Sequence, residues 1–356
     1  REAPNRLKSP LTRRMDNPLP RPRRPVVLIA SCALILLATA LLLPRAPAVP
    51  PLTPAIRLDP RVARRSGNEV LWQLPPGPPR AAMFVAPGCT IRATDFFDAS
   101  PGCPRCAGLP EERRFTREAL RRGYAVLAVS SRAECWSLDP ASASGDGSEL
   151  AAVSSIIEWW VKEQHPELGG LPLVGIGASS GGYFVSALAA RVRFSSVAIV
   201  IAEGVFAAME EIPPGYPPAL FVHMPRDAKR AQMVAASIGK LKSTHVDVRE
   251  IQCDAFAVSA EFLAARIPGL TPTVADGLVD VLRQKSFLDE KGFLKNDGRS
   301  TPWKEAAEEA KILPEGFRLE RHVTEELNIA YAYHEFTSLQ NEEIFKWFDS
   351  HMDHKI

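Results

Sequence analysis

Ser179 sits at the centre of Gly177-Ala178-Ser179-Ser180-Gly181, with an apolar run before it and an amphipathic helical pattern after it. A serine on a sharp turn between a buried strand and a helix raises its hydroxyl clear of the sheet, where it can attack an acyl carbon. Glycines two residues either side relieve the crowding such a turn creates. Leu171, Leu173, Val174 and Ile176 suit a buried parallel strand, and Phe184, Leu188 and Val192 recur at helical spacing. The flanks favour a nucleophile over a Gly-Ser turn of purely structural use.

A serine hydroxyl is weakly nucleophilic at neutral pH, so Ser179 needs a histidine base and a carboxylate that orients it. On such an elbow the partners follow in the order serine, acid, histidine. Asp227 follows the apolar stretch Ala219 to His223 and is the expected acid; Glu203, after Val197 to Ala202, is the alternative and Asp254 a weaker one. An Asp ahead of Ala228 to Ile238 also reads as a helix N-cap. His334, in Tyr331-Ala-Tyr-His-Glu-Phe-Thr337, precedes the last helix and is the expected base, with His322 second. Acyl transfer also needs donors for the developing oxyanion. The backbone N–H of Ser180 is the first; Cys89 or Gly88, in the turn Pro87-Gly88-Cys89-Thr90, would supply the second, since proline has no N–H.

Cys89, Cys103, Cys106 and Cys135 fall in loops around two consecutive predicted strands. Three readings stand open: one or two disulfides, buried thiols, or a tetrathiolate zinc site. Cys32 and Cys253 read as apolar packing. Phe96, Phe97 and Trp136 lie in loops leaving the carboxyl ends of strands, where they could shape a pocket. Of Trp159 and Trp160, in a helix, at least one reads as core.

The elements that must position these residues alternate as strand and helix. Strands are expected at Val70 to Leu74, Ala81 to Ala86, Tyr124 to Ser130, Val197 to Ala202, Ala219 to His223 and Val246 to Ile251. Helices are expected near Glu111 to Arg122 and Glu149 to Gln164. From about 266 to 323 the rhythm breaks, with helical stretches at Val274 to Gln284 and Trp303 to Ala310, and this segment reads as an insertion that caps the sheet or packs at its edge. Thr337 and Gln340 have capping-box spacing ahead of the final helix.

The chain of 356 residues has a formal charge of +2 and 46% hydrophobic residues, ordinary for one large globular domain with appendages. The charge is uneven: residues 1–25 hold Arg1, Arg6, Lys8, Arg13, Arg14, Arg21, Arg23 and Arg24 against Glu2 and Asp16. Residues 26–43 carry no charge, and as a helix they would span about 27 Å, close to a hydrocarbon core. They are expected to form one transmembrane helix with the basic tail cytosolic and the C-terminal domain lumenal or extracellular. Ala46-Pro47-Ala48 keeps a cleaved signal peptide open, and an organelle presequence is a third option. Residues 44–67, rich in proline, read as an extended stem, leaving 68–356 as the folded domain.

Ala93-Thr-Asp-Phe-Phe97, Cys103-Pro-x-Cys106, Gly108-Leu-Pro-Glu-Glu112, Gly177-Ala-Ser-Ser-Gly-Gly-Tyr-Phe184 and Tyr333-His-Glu-Phe-Thr337 together resemble a group of plant α/β-hydrolase-like proteins of the α/β-hydrolase superfamily. The group tends to carry His-Gly-Cys where this chain has Pro87-Gly88-Cys89. The resemblance implies an α/β fold with a mostly parallel central sheet flanked by helices. It also implies hydrolysis of esters, amides or related bonds without a metal. No cofactor is expected, the expected substrate is a small-molecule ester or lipid-like compound, and the uncharged stretch after the basic tail favours a membrane over a nucleic-acid partner. The superfamily includes members without activity, so a non-catalytic module that binds a ligand or protein partner is the alternative.

Overall fold

The computed structural model describes residues 56–138 and 148–352. Eight strands form one sheet: β1 (Arg61–Arg65), β2 (Asn68–Gln73), β3 (Ala81–Ala86), β4 (Tyr124–Val129), β5 (Leu173–Ala178), β6 (Ser196–Val200), β7 (Ala219–His223) and β8 (Val248–Gln252). Their spatial order is β1-β2-β4-β3-β5-β6-β7-β8. The pairs β1/β2 and β2/β4 are antiparallel and all the others parallel. This mostly parallel, helix-covered sheet, with the serine turn at the carboxyl end of β5, is the α/β-hydrolase architecture.

The central strands are buried along their whole length and almost wholly apolar because both faces are covered. Successive residues point to opposite faces, so Ala82, Phe84 and Ala86 of β3 join one core cluster while Ala81, Met83 and Val85 join the other. The edge strands differ. Arg61, Arg64 and Arg65 on β1, and Arg249 and Glu250 on β8, are solvent-exposed, and charge at a sheet edge discourages pairing with another chain.

Nine helices complete the described residues: α1 (Pro110–Arg121), α2 (Glu149–Trp159), α3 (Ser180–Leu188), α4 (Ala228–Ser243), α5 (Ala260–Arg266), α6 (Pro272–Gln284), α7 (Trp303–Glu309), α8 (Glu320–Tyr331) and α9 (Asn341–Ser350). Trp160 is fully buried at the end of α2, while Trp159 is half-buried and carries the Arg65 guanidinium on its ring.

Four sequence expectations are modified. The stem expected over 44–67 gives way at Arg61 to β1, because residues 61–65 pair with 68–72 across a turn at Ser66-Gly67. The insertion is wider than 266–323: α5 and α8 flank it, and all of it packs on a third apolar cluster reaching from Phe256 to Ala330. Thr337 does not cap α9. Its hydroxyl accepts from the Leu339 N–H within the preceding turn, and Gln340 takes the N-cap position without a side-chain bond. Phe97 is fully buried core and, unlike Phe96, does not line the cleft described below.

The basic tail, residues 26–43 and the loop 139–147 lie outside the described residues. Among the described residues no helix is long and apolar enough to cross a membrane.

Candidate active site

The elbow is built by close backbone approach. Ser179 has φ 50° and ψ −118°, a conformation unfavourable for a side-chain-bearing residue, and its N–H donates to Val200 O on β6 at 2.9 Å. A Cβ on Gly177 would fall 2.1 Å from Gly181 O, and one on Gly181 would fall 2.0 Å from Ala86 O. Both obstacles are main-chain atoms of the elbow or of β3, which cannot swing aside. Gly181→Ala is therefore expected to destabilise the fold by about 3 kcal/mol or more. Gly239→Ala, in α4 with open space at its Cβ, should be neutral or stabilising by up to about 1 kcal/mol. Urea titration of the two variants checks the contrast.

The sheet order brings together side chains far apart in sequence. His334 Nε2 lies 3.0 Å from Ser179 Oγ, and His334 Nδ1 lies 3.4 Å from Asp227 Oδ2. Asp227 does two jobs: its Oδ1 accepts from Arg230 N at 3.2 Å as the N-cap of α4, while Oδ2 faces the imidazole. Arg230 Nε also reaches Asp227 Oδ2 at 3.2 Å, and its Nη1 pairs with Glu203 and donates to Tyr183 OH at 3.0 Å. Glu203 is thereby committed to Arg230. Burial, together with the nearby positive charge of Arg230, holds the His334 imidazole below its ordinary pKa, although Asp227 pulls the other way. The ring is therefore neutral at pH 7, as a general base must be.

The other histidines among the described residues lie elsewhere. His322, on α8, is held below its ordinary pKa chiefly by burial, and its Nδ1 has no hydrogen-bond partner. His223 is buried in β7, with Nε2 2.6 Å from Glu250.

Ser180 begins α3, so its N–H has no intrahelical acceptor and remains available beside Ser179. The second loop, Pro87 to Thr90, packs directly on the elbow: a Cβ on Gly88 would sit 3.5 Å from Ser179 Cβ. Three contacts fasten this loop. A disulfide joins Cys89 to Cys135, Thr90 N donates to Glu134 O at 3.0 Å, and the Trp136 indole N–H donates to Pro87 O at 2.8 Å. Trp136 itself stacks on Phe184 of α3 with ring centroids 4.0 Å apart. In a trans peptide, holding the Pro87 carbonyl toward Trp136 turns the Gly88 N–H the opposite way. Trp136 thus braces the loop from behind. The remaining pair, Cys103 and Cys106, forms a second disulfide, so all four loop cysteines are joined in pairs.

Ser179, Asp227 and His334 open into a cleft of about 770 Å³. Gly88 and Cys89 form one wall; Asp297, Arg299, Ser300 and Arg321 from the insertion and α8 form another. The insertion therefore covers part of the carboxyl end of the sheet. Sequence reasoning missed four buried polar residues of the lining: Glu112, Glu325, Asn328 and Glu335. Two consecutive glutamates at the start of a helix read as exposed carboxylates complementing the helix dipole, so nothing in the sequence marks Glu112 as interior.

No protein-family model and no curated protein matches the chain. Solved structures do match. An α/β hydrolase enzyme from a Medee basin deep-sea metagenome library aligns over 62% of this chain and 90% of its own, at 13% identity and TM-score 0.41. The Pyrococcus furiosus esterase Pf2001 covers 62% of this chain and 92% of its own, at 14% identity and TM-score 0.38. Est1E from Butyrivibrio proteoclasticus covers 55% and 88%, at 11% identity and TM-score 0.38. Likenesses this distant carry no argument about activity. The fold assignment rests on the strand order and the elbow.

Proposed function

We propose that the protein is a serine hydrolase that transfers the acyl group of an ester to water, with Ser179 as nucleophile, His334 as general base and acid, and Asp227 as the carboxylate that orients the imidazole. The observation that carries this reading is the placement of His334 Nε2 3.0 Å from Ser179 Oγ at the floor of an open cleft. In the first half-reaction Ser179 Oγ bonds to the acyl carbon while its proton passes to His334 Nε2. The negative charge that develops on the carbonyl oxygen is met by the Ser180 N–H and by Cys89 or Gly88. The carbon–oxygen bond to the alcohol then breaks, and the alcohol leaves with the proton held by His334. Water repeats the sequence on the acyl-enzyme, with His334 taking one proton and returning it to Ser179, so one ester and one water yield one acid and one alcohol.

A fluorophosphonate probe tests the assignment: the wild-type protein should be labelled and the Ser179→Ala protein should not. An unlabelled wild type would overturn it. The pH profile gives an independent check. Burial and Arg230 favour the neutral imidazole, so the acid limb of kcat/KM is expected to have its midpoint below the ordinary histidine value of 6.5. Activity should already be on its plateau at neutral pH, and a limb centred above 6.5 would contradict the assigned base.

We also propose, from the sequence, that residues 26–43 anchor the chain in a membrane with the hydrolase domain on the lumenal or outer side. The two disulfides support an oxidising compartment for that domain. Carbonate extraction should leave the full chain in the membrane pellet, and release into the supernatant would count against the anchor.

A further inference from the structure

One end of the catalytic cleft is lined by carboxyl groups that the acyl-transfer chemistry does not use. Glu112 comes from α1, Glu325 and Asn328 from α8, and Glu335 follows the proposed base in sequence. Glu335 is matched: its Oε2 accepts from Arg299 at 2.5 Å and from Asn328 Nδ2 at 2.9 Å. The guanidinium of Arg321 is likewise spent, on both oxygens of Asp95 at 3.0 Å. Glu325 accepts from the Glu111 N–H at 3.2 Å, Glu112 and Glu325 hydrogen-bond each other through their side chains, and neither forms a salt bridge among the described residues.

A second, independent observation concerns the amide beside them. Asn328 is 1% exposed and lines the cleft, yet its Oδ1 has no hydrogen-bond partner. A buried polar atom left without a partner is costly, so this oxygen calls for one supplied from outside. It is an acceptor. What it lacks is a donor, and the carboxyls beside it favour one that carries positive charge. Among the described residues no cluster of ligating side chains converges as a metal site, which points to an organic cation.

We propose that Glu112, Glu325 and the free oxygen of Asn328 form a subsite for a primary ammonium group carried by the substrate of Ser179. The inference rests on the serine-hydrolase reading for its catalytic consequence, but the binding itself does not require turnover. Burial pushes Glu112 up to about 8 and Glu325 well above the usual carboxyl range. The charged groups facing this pair are Arg321 from α8, Glu335 from the loop after it, Asp95 from the 3-10 turn and Glu111 from α1. Arrival of an ammonium would draw a proton off this pair. Binding should therefore release a proton and strengthen as the pH rises toward about 8.

Two arms keep the subsite and the hydrolase separable. In the first, para-nitrophenyl esters of an ω-ammonio fatty acid and of its twin with a methyl in place of the ammonium are compared. The wild type is expected to prefer the ammonium ester by at least about tenfold in kcat/KM, and Glu112→Gln and Glu325→Gln should each bring that ratio toward unity. In the second, n-hexylammonium and n-hexanol are titrated calorimetrically into the Ser179→Ala protein, which needs no catalysis. The ammonium should bind more tightly, with a heat that depends on the buffer because a proton is released, and Glu112→Gln should remove both the preference and the buffer dependence. Binding of n-hexylammonium with neither ester hydrolysed would sustain the subsite and defeat the hydrolase reading. Ester hydrolysis without ammonium preference, or equal binding of amine and alcohol, would overturn the subsite and identify the carboxyls as a structural, proton-sharing pair.

Discussion

The Ser179→Ala protein is expected to lose on the order of 10⁶ in kcat toward an activated ester, the loss seen when a serine nucleophile is removed from a working triad. The size of the effect follows from the chemistry: without Oγ there is no acyl-enzyme, and only general electrostatic stabilisation of a water attack remains. The substitution should leave the fold intact. Ser179 is held by its own N–H to Val200 O and by the glycines around it, and alanine keeps every one of those main-chain contacts. Matching thermal unfolding of the two proteins, alongside the rate loss, would locate the defect in the chemistry. A variant that retained more than about one percent of the rate would exclude Ser179 as nucleophile.

Asp227→Asn is expected to lower kcat by on the order of 10⁴, since a neutral amide in this place would favour the wrong imidazole tautomer and would not stabilise the imidazolium. Glu203→Gln is the discriminating control. Glu203 reaches Arg230 and not His334, so its loss should act only through the position of Arg230. A loss about ten- to a hundredfold smaller than that of Asp227→Asn is expected. The reverse ranking would move the acid to Glu203. Asp227 also caps α4, and asparagine is nearly as good an N-cap as aspartate, so the rate loss should not be accompanied by a comparable loss of stability. Steady-state kinetics and denaturant titration on the same preparations separate the two roles.

The role of Arg230 explains why the choice between the two acids was open in the sequence. Asp227 and Glu203 both follow apolar stretches beyond the serine, and either could have met the histidine. Arg230 lies one turn into α4, where it reads as an ordinary helical cation, yet it binds one carboxylate through Nη1 and braces the other through Nε. It also lowers the basicity of His334. A residue that touches both acids can be found only once both strand ends are in place.

The sequence alone determined what depends on neighbours along the chain. Strands β3 and β7 are legible residue for residue because continuous apolar runs bounded by turn residues have few other uses in a domain of this size. The elbow is legible because its requirement is local: a serine at positive φ, with no room for a side chain two residues to either side. Tertiary structure decided what depends on partners distant in the chain. Which cysteines pair, three possibilities for four residues, was settled by the strand order that sets the Pro87–Thr90 loop beside residues 131–136. The burial of Glu112, Glu325 and Glu335 ran against their hydropathy. A carboxyl enters a protein interior only where a partner answers it or burial keeps it protonated: Arg299 answers Glu335, while Glu112 and Glu325 face each other with raised pKa values, and no window along the sequence contains either pair.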